Sequence, residues 1–520
     1  MSEADPGSLV TLDPAVLDAL RDAALARAKE LGAEHAELRV ERIRSQLVAL
    51  RDAKVETTVD DTELGMGLRV VRRGSLGFAA TVELTPDAAA RLADDACAIA
   101  QATASALAVP VVLADEPVHG PVSWSSAYEI DPADVPLAEK VALLEDWSRR
   151  LLDAPGVDHS EAAVLAVVED KYFAGLAGTV TTQRRVRVRP VFEAFAVDSE
   201  TGSFESMRSI APPAGRGWEY TAGNGGTASH NGGKGGQGGW DWDSELARVP
   251  ELLAEKMRSP SAEAGTYDLV IDPSNLWLTI HESIGHATEL DRALGYEAAY
   301  AGTSFATFDK LGKLQYGSPI MQVTGDRTTE HGLATVGYDD EGVEAQSFDI
   351  VRDGVLVGYQ LDRRMAKENG LGRSNGCAFA DSPMHVPIQR MANVSLRPAP
   401  GEGPSTEELV SGVERGIYVV GDKSWSIDMQ RYNFQFTGQR FYLIEKGRLA
   451  GQLRDVAYQA RTTDFWGSME AVGGSATFVL GGAFNCGKGQ PGQVAPVSHG
   501  CPAALFRGVN VLNTRSEAGL

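Results

Sequence analysis

Apolar residues recur at helical spacing across residues 13–31, where Leu17, Leu20, Ala24 and Ala28 fall on one face and Gly32 follows as a stop signal. From residue 36 to 59 the period shortens to that of a strand, with Leu38, Val40, Ile43, Leu47 and Val48 set among charged residues. Residues 67–79 read as a hairpin turning at Arg73-Gly74-Ser75. Thr85-Pro86 opens an alanine-rich helix to about residue 107, and a third helix is predicted over 137–152. Strands follow at 163–169 and 178–196, the second with Val180, Thr182, Arg184, Val186 and Val188 at alternate positions. After a helix at 246–257, the apolar run 267–271 reads as a buried strand. Asp272-Pro273-Ser274 then supplies an N-cap and a first-turn proline, which predicts a helix over 275–291. Beyond it the chain turns strongly β. Hairpins are predicted at 348–357 around Asp353-Gly354 and at 434–449 around Lys446-Gly447, with short strands at 472–484 and 509–512.

This order predicts an α+β protein. An N-terminal α/β module, residues 1–214, sets helices on a mixed or antiparallel sheet. A glycine-rich linker covers 215–241, and a predominantly β domain, 242–520, carries one functional helix. The N-terminal module shows no recognisable site and is expected to pack, dimerise or cover the second domain. In the linker, Gly233-Lys234 is followed by Gly235 instead of Ser or Thr, so the run does not read as a phosphate-binding loop.

A formal charge of −23 without a basic stripe excludes a binder of nucleic-acid backbones. No apolar run approaches the roughly 20 residues of a spanning helix, and the first residues lack a signal-peptide pattern. Four cysteines (Cys97, Cys377, Cys486 and Cys501) in 520 residues are no disulfide framework. A soluble cytoplasmic protein with no membrane partner is the expectation, and its thiols are free to ligate metal.

The chemistry concentrates in His281-Glu282-Ser283-Ile284-Gly285-His286-Ala287-Thr288-Glu289-Leu290-Asp291. Two imidazoles and an adjacent carboxylate are what a catalytic divalent ion needs. At the usual four-residue spacing two histidines lie within about 40° on a helix, but the five residues from His281 to His286 leave about 140°. A single wide turn would absorb roughly 100° and bring both rings to one side; Gly285 is the expected place for it. A third ligand is required. Glu289 and Asp291 are candidates on the same segment, as ligands or as partners of the ligands. Downstream, Cys486 stands among glycines with Lys488 near enough to favour the thiolate, and Cys501 competes with it. Cys97 falls in a helical apolar pattern and is expected in a core; Cys377 has no assignment. The acidic triplet Asp339-Asp340-Glu341 reads as a solvated turn, and His499 as a loop residue.

The sequence resembles the TldD/PmbA metalloproteases, a family also labelled modulators of DNA gyrase. The resemblance rests on residues 281–291, on Asp339-Asp340-Glu341-Gly342, on Gln389-Arg390-Met391-Ala392-Asn393 and on Cys486-Gly487-Lys488-Gly489-Gln490. It implies a zinc peptidase of the metal-bearing TldD type, with His281, His286 and Cys486 as ligands and Glu282 as general base. It also implies a dimer, either of identical chains or with a relative lacking the metal motif. The expected reaction is metal-assisted hydrolysis of peptide bonds in extended or unfolded peptides. Three rival readings stand beside it: an adaptor with a structural ion, an amidohydrolase of small molecules, and a serine hydrolase. The last follows from Gly372-Arg373-Ser374-Asn375-Gly376, a Gly-x-Ser-x-Gly match preceded by a polar run where a buried strand is needed.

Overall fold

The computed structural model of the chain describes residues 13–199, 202, 204–223, 240–489 and 491–517. Most of the predicted linker, 224–239, lies outside them. Helix α1 (Pro14–Glu30) starts where Asp13 caps the Ala15 amide and proline occupies the first turn. Strands β1 (His35–Arg51) and β2 (Lys54–Arg72) form a long hairpin, and β3 (Ser75–Thr81) adds to its far end. The β pattern expected over 36–59 is thus carried by two strands, β1 and the first part of β2. Asp52 and Ala53 both take positive φ, at 49° and 56°, and turn the chain without a glycine. Helices α2 (Pro86–Thr103) and α3 (Leu137–Leu152) flank a short strand β4 (Val122–Ser125). Strands β5 (His159–Gly175), β6 (Val180–Val197) and β7 (Phe204–Arg208) complete a seven-stranded sheet in the order β3-β2-β1-β5-β6-β4, with β7 on the free half of the β6 edge. Only β4 is parallel to its neighbour; β1–β2, β2–β3 and β5–β6 are hairpins, and the long connection from β1 to β5 also returns the chain antiparallel.

One face of this sheet buries Leu38, Val40, Leu68 and Val70 beneath α1 and α2. A second core gathers Val48, Val164 and Phe192 under α3 with Trp147. Past the short helix α4 (Trp218–Ala222), helix α5 (Trp242–Arg258) adds Trp242, Leu246, Val249 and Leu253 to that second core, although in sequence it follows the glycine run.

Strand β8 (Gly265–Ile271) opens the second half of the molecule. It pairs in parallel with Arg415–Ile427 and antiparallel with Ala504–Asn513. Val456–Arg461 and Asn433–Glu445 continue the sheet, and Asn433–Glu445 pairs back to Arg415–Ile427, which closes a ring. Leu269, Ile271, Phe436, Tyr458 and Phe506 fill it. Helix α6 (Pro273–Ile280) leaves β8 with Leu276 and Ile280 fully buried in the same core. The hairpin of Val479–Lys488 with Gln493–Cys501 lies across α6 so closely that a Cβ on Gly481 would come within 2.6 Å of Trp277 Cγ.

The halves meet through charge. Asp340, expected in a solvated turn, is buried and pairs with Lys171 of β5 at 2.9 Å. Glu341 meets Arg69 of β2 at 2.7 Å, and the Asp339 carboxylate accepts three backbone N–H bonds, from Glu341, Val343 and Ala378. The acidic triplet is therefore a structural clasp between the sheets. At this junction Gly67 faces the Pro383 carbonyl oxygen, which a Cβ would approach to 2.6 Å. No helix among the described residues is long and apolar enough to cross a membrane.

Candidate metal centre

The helix expected over 275–291 is not continuous. Regular α-helix ends at Ile280, residues His281–Gly285 form one π turn, and His286–Thr288 tighten to 3-10 geometry before Glu289 extends. The His286 amide donates to the His281 carbonyl, an i to i+5 bond, so the ring spacing that a regular helix would spread is taken up by one extra residue in the turn. The two imidazole centroids are 4.7 Å apart. Such a turn disturbs the ladder around it, and side chains meet the displaced carbonyls. Tyr316 donates to Ser283 O, and Gln360 Nε2 donates to Gly285 O at 2.7 Å. Gly285 is needed for space and not for backbone freedom: its φ is −52°, but a Cβ would sit 2.6 Å from Met391 Sδ.

The Val479–Lys488 strand brings Cys486 to the histidines. Its pairing slips between Ala483 and Cys486, and this bulge re-aims the cysteine side chain. Cys486 Sγ lies 3.5 Å from His286 Nε2, and the ligand atoms of His281, His286 and Cys486 all lie within 4.8 Å of one another. Among the described residues they form the one such trio of possible metal ligands.

Hydrogen bonds select the tautomers. His499 Nδ1 faces the Val394 carbonyl at 2.8 Å, so it carries the proton and leaves Nε2 to accept. His281 Nδ1, 2.7 Å from that Nε2, is therefore the donor, and its own Nε2 keeps a lone pair. His286 Nδ1 donates to Glu289 at 2.9 Å, which again frees Nε2. Burial holds His281 far below the usual imidazole range, with His286 and His499 adding to the effect. It pushes His286 down to about 3 and His499 to about 4. All three rings are neutral near pH 7, the state a metal ligand requires.

Burial pushes the Cys486 thiol up to about 12, against the pull of Arg390, whose Nη2 is 3.2 Å from the sulfur. Lys488, the cation expected beside this thiolate, instead reaches Asp291 at 2.8 Å and Glu289 at 3.2 Å. Burial alone would raise the Glu289 carboxyl, but Lys488, His286 and Arg292 outweigh it and hold Glu289 well below the usual carboxylate range. Glu289 and Asp291 thus stand behind the histidines. Cys501 is buried with its sulfur 3.6 Å from the Pro273 carbonyl, Cys97 sits in the α1–α2 core, and Cys377 is buried away from the trio. Ser374 occupies an irregular loop and donates to Leu361 O, with neither the strand nor the helix of a nucleophile elbow.

Glu282 faces the same cleft as the trio, a cavity of about 490 Å³. Its Oε2 accepts from Arg431 Nη1 at 2.8 Å. Burial raises its carboxyl and Arg431 opposes the rise. The opposite wall comes from the first sheet, through Arg189, Pro190 and residues 208–213. The N-terminal module, expected to pack, dimerise or cover the second domain, therefore lines the cleft directly. His499, Arg390 and Arg431 are the site residues that spacing alone does not reveal. His499 lies two residues before Cys501 and Arg390 within residues 389–393; Arg431 has no local signal.

The description "PmbA/TldA metallopeptidase C-terminal domain" matches residues 264–513, which hold the ring and the metal-ligand trio, and "PmbA/TldA metallopeptidase domain 1" matches residues 36–100. The chain belongs to the PmbA/TldD metallopeptidase family. As a metallopeptidase it is a hydrolase. Among PmbA/TldD relatives, a protein of Methanothermobacter thermautotrophicus named metalloprotease is 27% identical over 487 residues, 92% of this chain and 96% of that protein. A Saccharolobus solfataricus protein named zinc metalloprotease TldD homolog is 26% identical over 264 residues, 51% and 55% of the two chains. A Thermotoga maritima structure named as a modulator of a DNA gyrase superposes with a TM-score of 0.72 at 16% identity, covering 95% of this chain and all of that one. TldE from Thermococcus kodakarensis gives 0.68 at 14% identity, over 95% and 99%. The two structures establish a shared fold.

Proposed function

We propose that this metallopeptidase holds zinc on His281 Nε2, His286 Nε2 and Cys486 Sγ, and cleaves extended peptides with Glu282 as the proton carrier. The observation that carries the reading is the convergence of three buried donor atoms, two of them imidazole lone pairs left free by defined partners, on a cleft that also receives a buried carboxylate. A set of two histidines and one cysteine suits zinc, and three protein ligands are the number found where one position serves catalysis. When bound, the ion would supply a Lewis acid for the scissile carbonyl and make water acidic enough to deprotonate near neutral pH. Glu282 takes that proton at its carboxylate and returns it to the departing amine. Desolvation raises its carboxyl and so strengthens it as a base, while Arg431 opposes the rise and holds the carboxylate in place. His499 and Glu289 hold the two rings in the tautomer and orientation the ion needs.

The substrate reading rests on the strand Val479–Lys488. It pairs with Gln493–Cys501 on one side among the described residues, and residues 481–487 line the cleft. An extended peptide can use such an edge through backbone hydrogen bonds, which read little side-chain identity. An adaptor with a structural ion would call for a fourth protein ligand, yet Glu289 is turned to His286 and Lys488, and Cys501 lies elsewhere.

The test combines metal content with cleavage of an unstructured peptide, on this chain alone and with a relative lacking the metal motif. One zinc per site is expected, with cleavage lost to a chelator and restored by zinc. Fully zinc-loaded protein that cleaves no peptide in either setting would sink the reading. A second expectation concerns His499. His499→Ala should weaken zinc binding by roughly ten- to a hundredfold, the usual loss for a partner that orients a ligand. His499→Gln, which restores an acceptor, should recover part of it. Unaltered affinity in both variants would remove His499 from the relay.

A further inference from the structure

Strand β6 carries Arg185, Arg187 and Arg189 at alternate positions in an unbroken register with β5, so all three leave the same face of the sheet. One carboxylate serves two of them: Glu169 accepts from Arg185 Nε at 2.9 Å and also from Arg187. Arg187 is almost fully buried, yet its Nε and Nη1 have no hydrogen-bond partner. Its guanidinium lies 5.8 Å from the ring of Phe484, on the strand that carries Cys486. Arg189, next in the row, reaches the cleft wall and has no hydrogen bond or ion pair to any described residue. Its cationic neighbours in the cleft are all engaged: Arg208 with Asp422 at 2.8 Å, Arg431 with Glu282 at 2.8 Å, and Lys423 with Glu205 at 3.8 Å. Burial and the repulsion of Arg208 work against the charge on Arg189, and Asp422 offsets them only in part. A half-buried guanidinium with no direct ion pair, whose attracting carboxylate Asp422 is already taken by Arg208, and which is backed by a second guanidinium with two idle nitrogens, has donors to spare for a further anion. Its planar fork matches a carboxylate.

We propose that Arg189, supported by Arg187, forms a carboxylate subsite of the cleft, which selects peptides that place a carboxylate there, from an acidic side chain or from the C-terminus. The proposal rests on the peptidase reading for its substrate class, and Arg189 acts in it as a specificity residue. It touches the substrate away from the bond that breaks.

The test uses one unstructured peptide in four forms, combining Glu or Gln at the variable position with a free or amidated C-terminus. Zinc-loaded full-length protein is assayed for kcat/KM, and zinc-loaded Glu282→Gln protein for binding by fluorescence anisotropy. A carboxylate-bearing form should be favoured over the fully neutral one by roughly tenfold or more, the scale of a charge-assisted fork lost to an amide. Which of the two carboxylates carries the preference identifies the source. Arg189→Gln should bring the ratio close to one, Arg189→Lys should keep part of it, and Arg189→Glu should move the preference to a fifth form with Lys at the variable position and an amidated C-terminus. Cleavage without discrimination, or a ratio that survives both Arg189→Gln and Arg189→Glu, overturns the subsite while the peptidase reading stands. No cleavage of any form, with carboxylate-selective binding that depends on Arg189, upholds the subsite and overturns the peptidase reading. Neither cleavage nor selective binding overturns both.

Discussion

Glu282→Gln keeps its zinc and loses at least about a hundredfold in kcat/KM, the scale of a general base removed from its task. The side chain is buried in the cleft wall and tied to Arg431 at 2.8 Å, and it is not one of the three converging donor atoms. Glutamine has nearly the same volume and can still place an oxygen toward Arg431, so the cleft should keep its shape. What it cannot do is accept and return a proton. Metal content by elemental analysis, measured on the same preparation as the kinetics, separates the two roles. A variant that comes out metal-free makes Glu282 a ligand, and the assignment of base and ligands must then be redrawn.

Cys486→Ala should lose most of its zinc and its activity together, whereas Cys501→Ala should hold zinc near the parent level. The difference lies in place and not in chemistry, since burial raises both thiols. Cys486 Sγ is 3.5 Å from His286 Nε2; Cys501 Sγ packs against the Pro273 carbonyl. Because the ion binds the folded protein and not the unfolded chain, it contributes about 2.7 kcal/mol at a free concentration a hundred times its Kd. That zinc-dependent gain in thermal stability should vanish in Cys486→Ala. Zinc binding near pH 7 should also release close to one proton from the parent protein, from the Cys486 thiol, because the imidazoles are already neutral. Calorimetry in buffers of different ionisation enthalpy reads this number directly. Zinc loss from Cys501→Ala with retention in Cys486→Ala would transfer the ligand role to Cys501.

The elements that were legible in the sequence are those whose determinants are local. The cap and proline at Asp272-Pro273 start their helix where the sequence places them, because a capping carboxylate acts within two or three residues, and the apolar spacing of residues 13–31 marks α1. The wide turn was legible too: rings five residues apart can share a side only by inserting a residue into a turn. The turn at Asp52-Ala53 was not. Neither residue is a usual carrier of positive φ as a consecutive pair, and only the pairing of β1 with β2 along their whole length holds the chain there.

For the site, the sequence by itself determined the reactive groups: two histidines and a glutamate in one short segment, and a cysteine among glycines far downstream. The tertiary structure decided how they are used. The closed ring and the hairpin laid over α6 bring Cys486 across about two hundred residues to His286, and the bulge before it aims the sulfur. The same packing sets His499 behind His281, Arg390 beside the thiol and Lys488 among carboxylates, where a short-range reading had placed it at the sulfur. It also turns the acidic triplet from a solvated loop into the clasp with Lys171 and Arg69, and lines the cleft with Arg189 from the other sheet. The physical reason is range. Caps, turns and helix periods act over a few residues along the chain, whereas burial and ion pairing act over a few ångströms in space, between residues that only the completed fold makes neighbours.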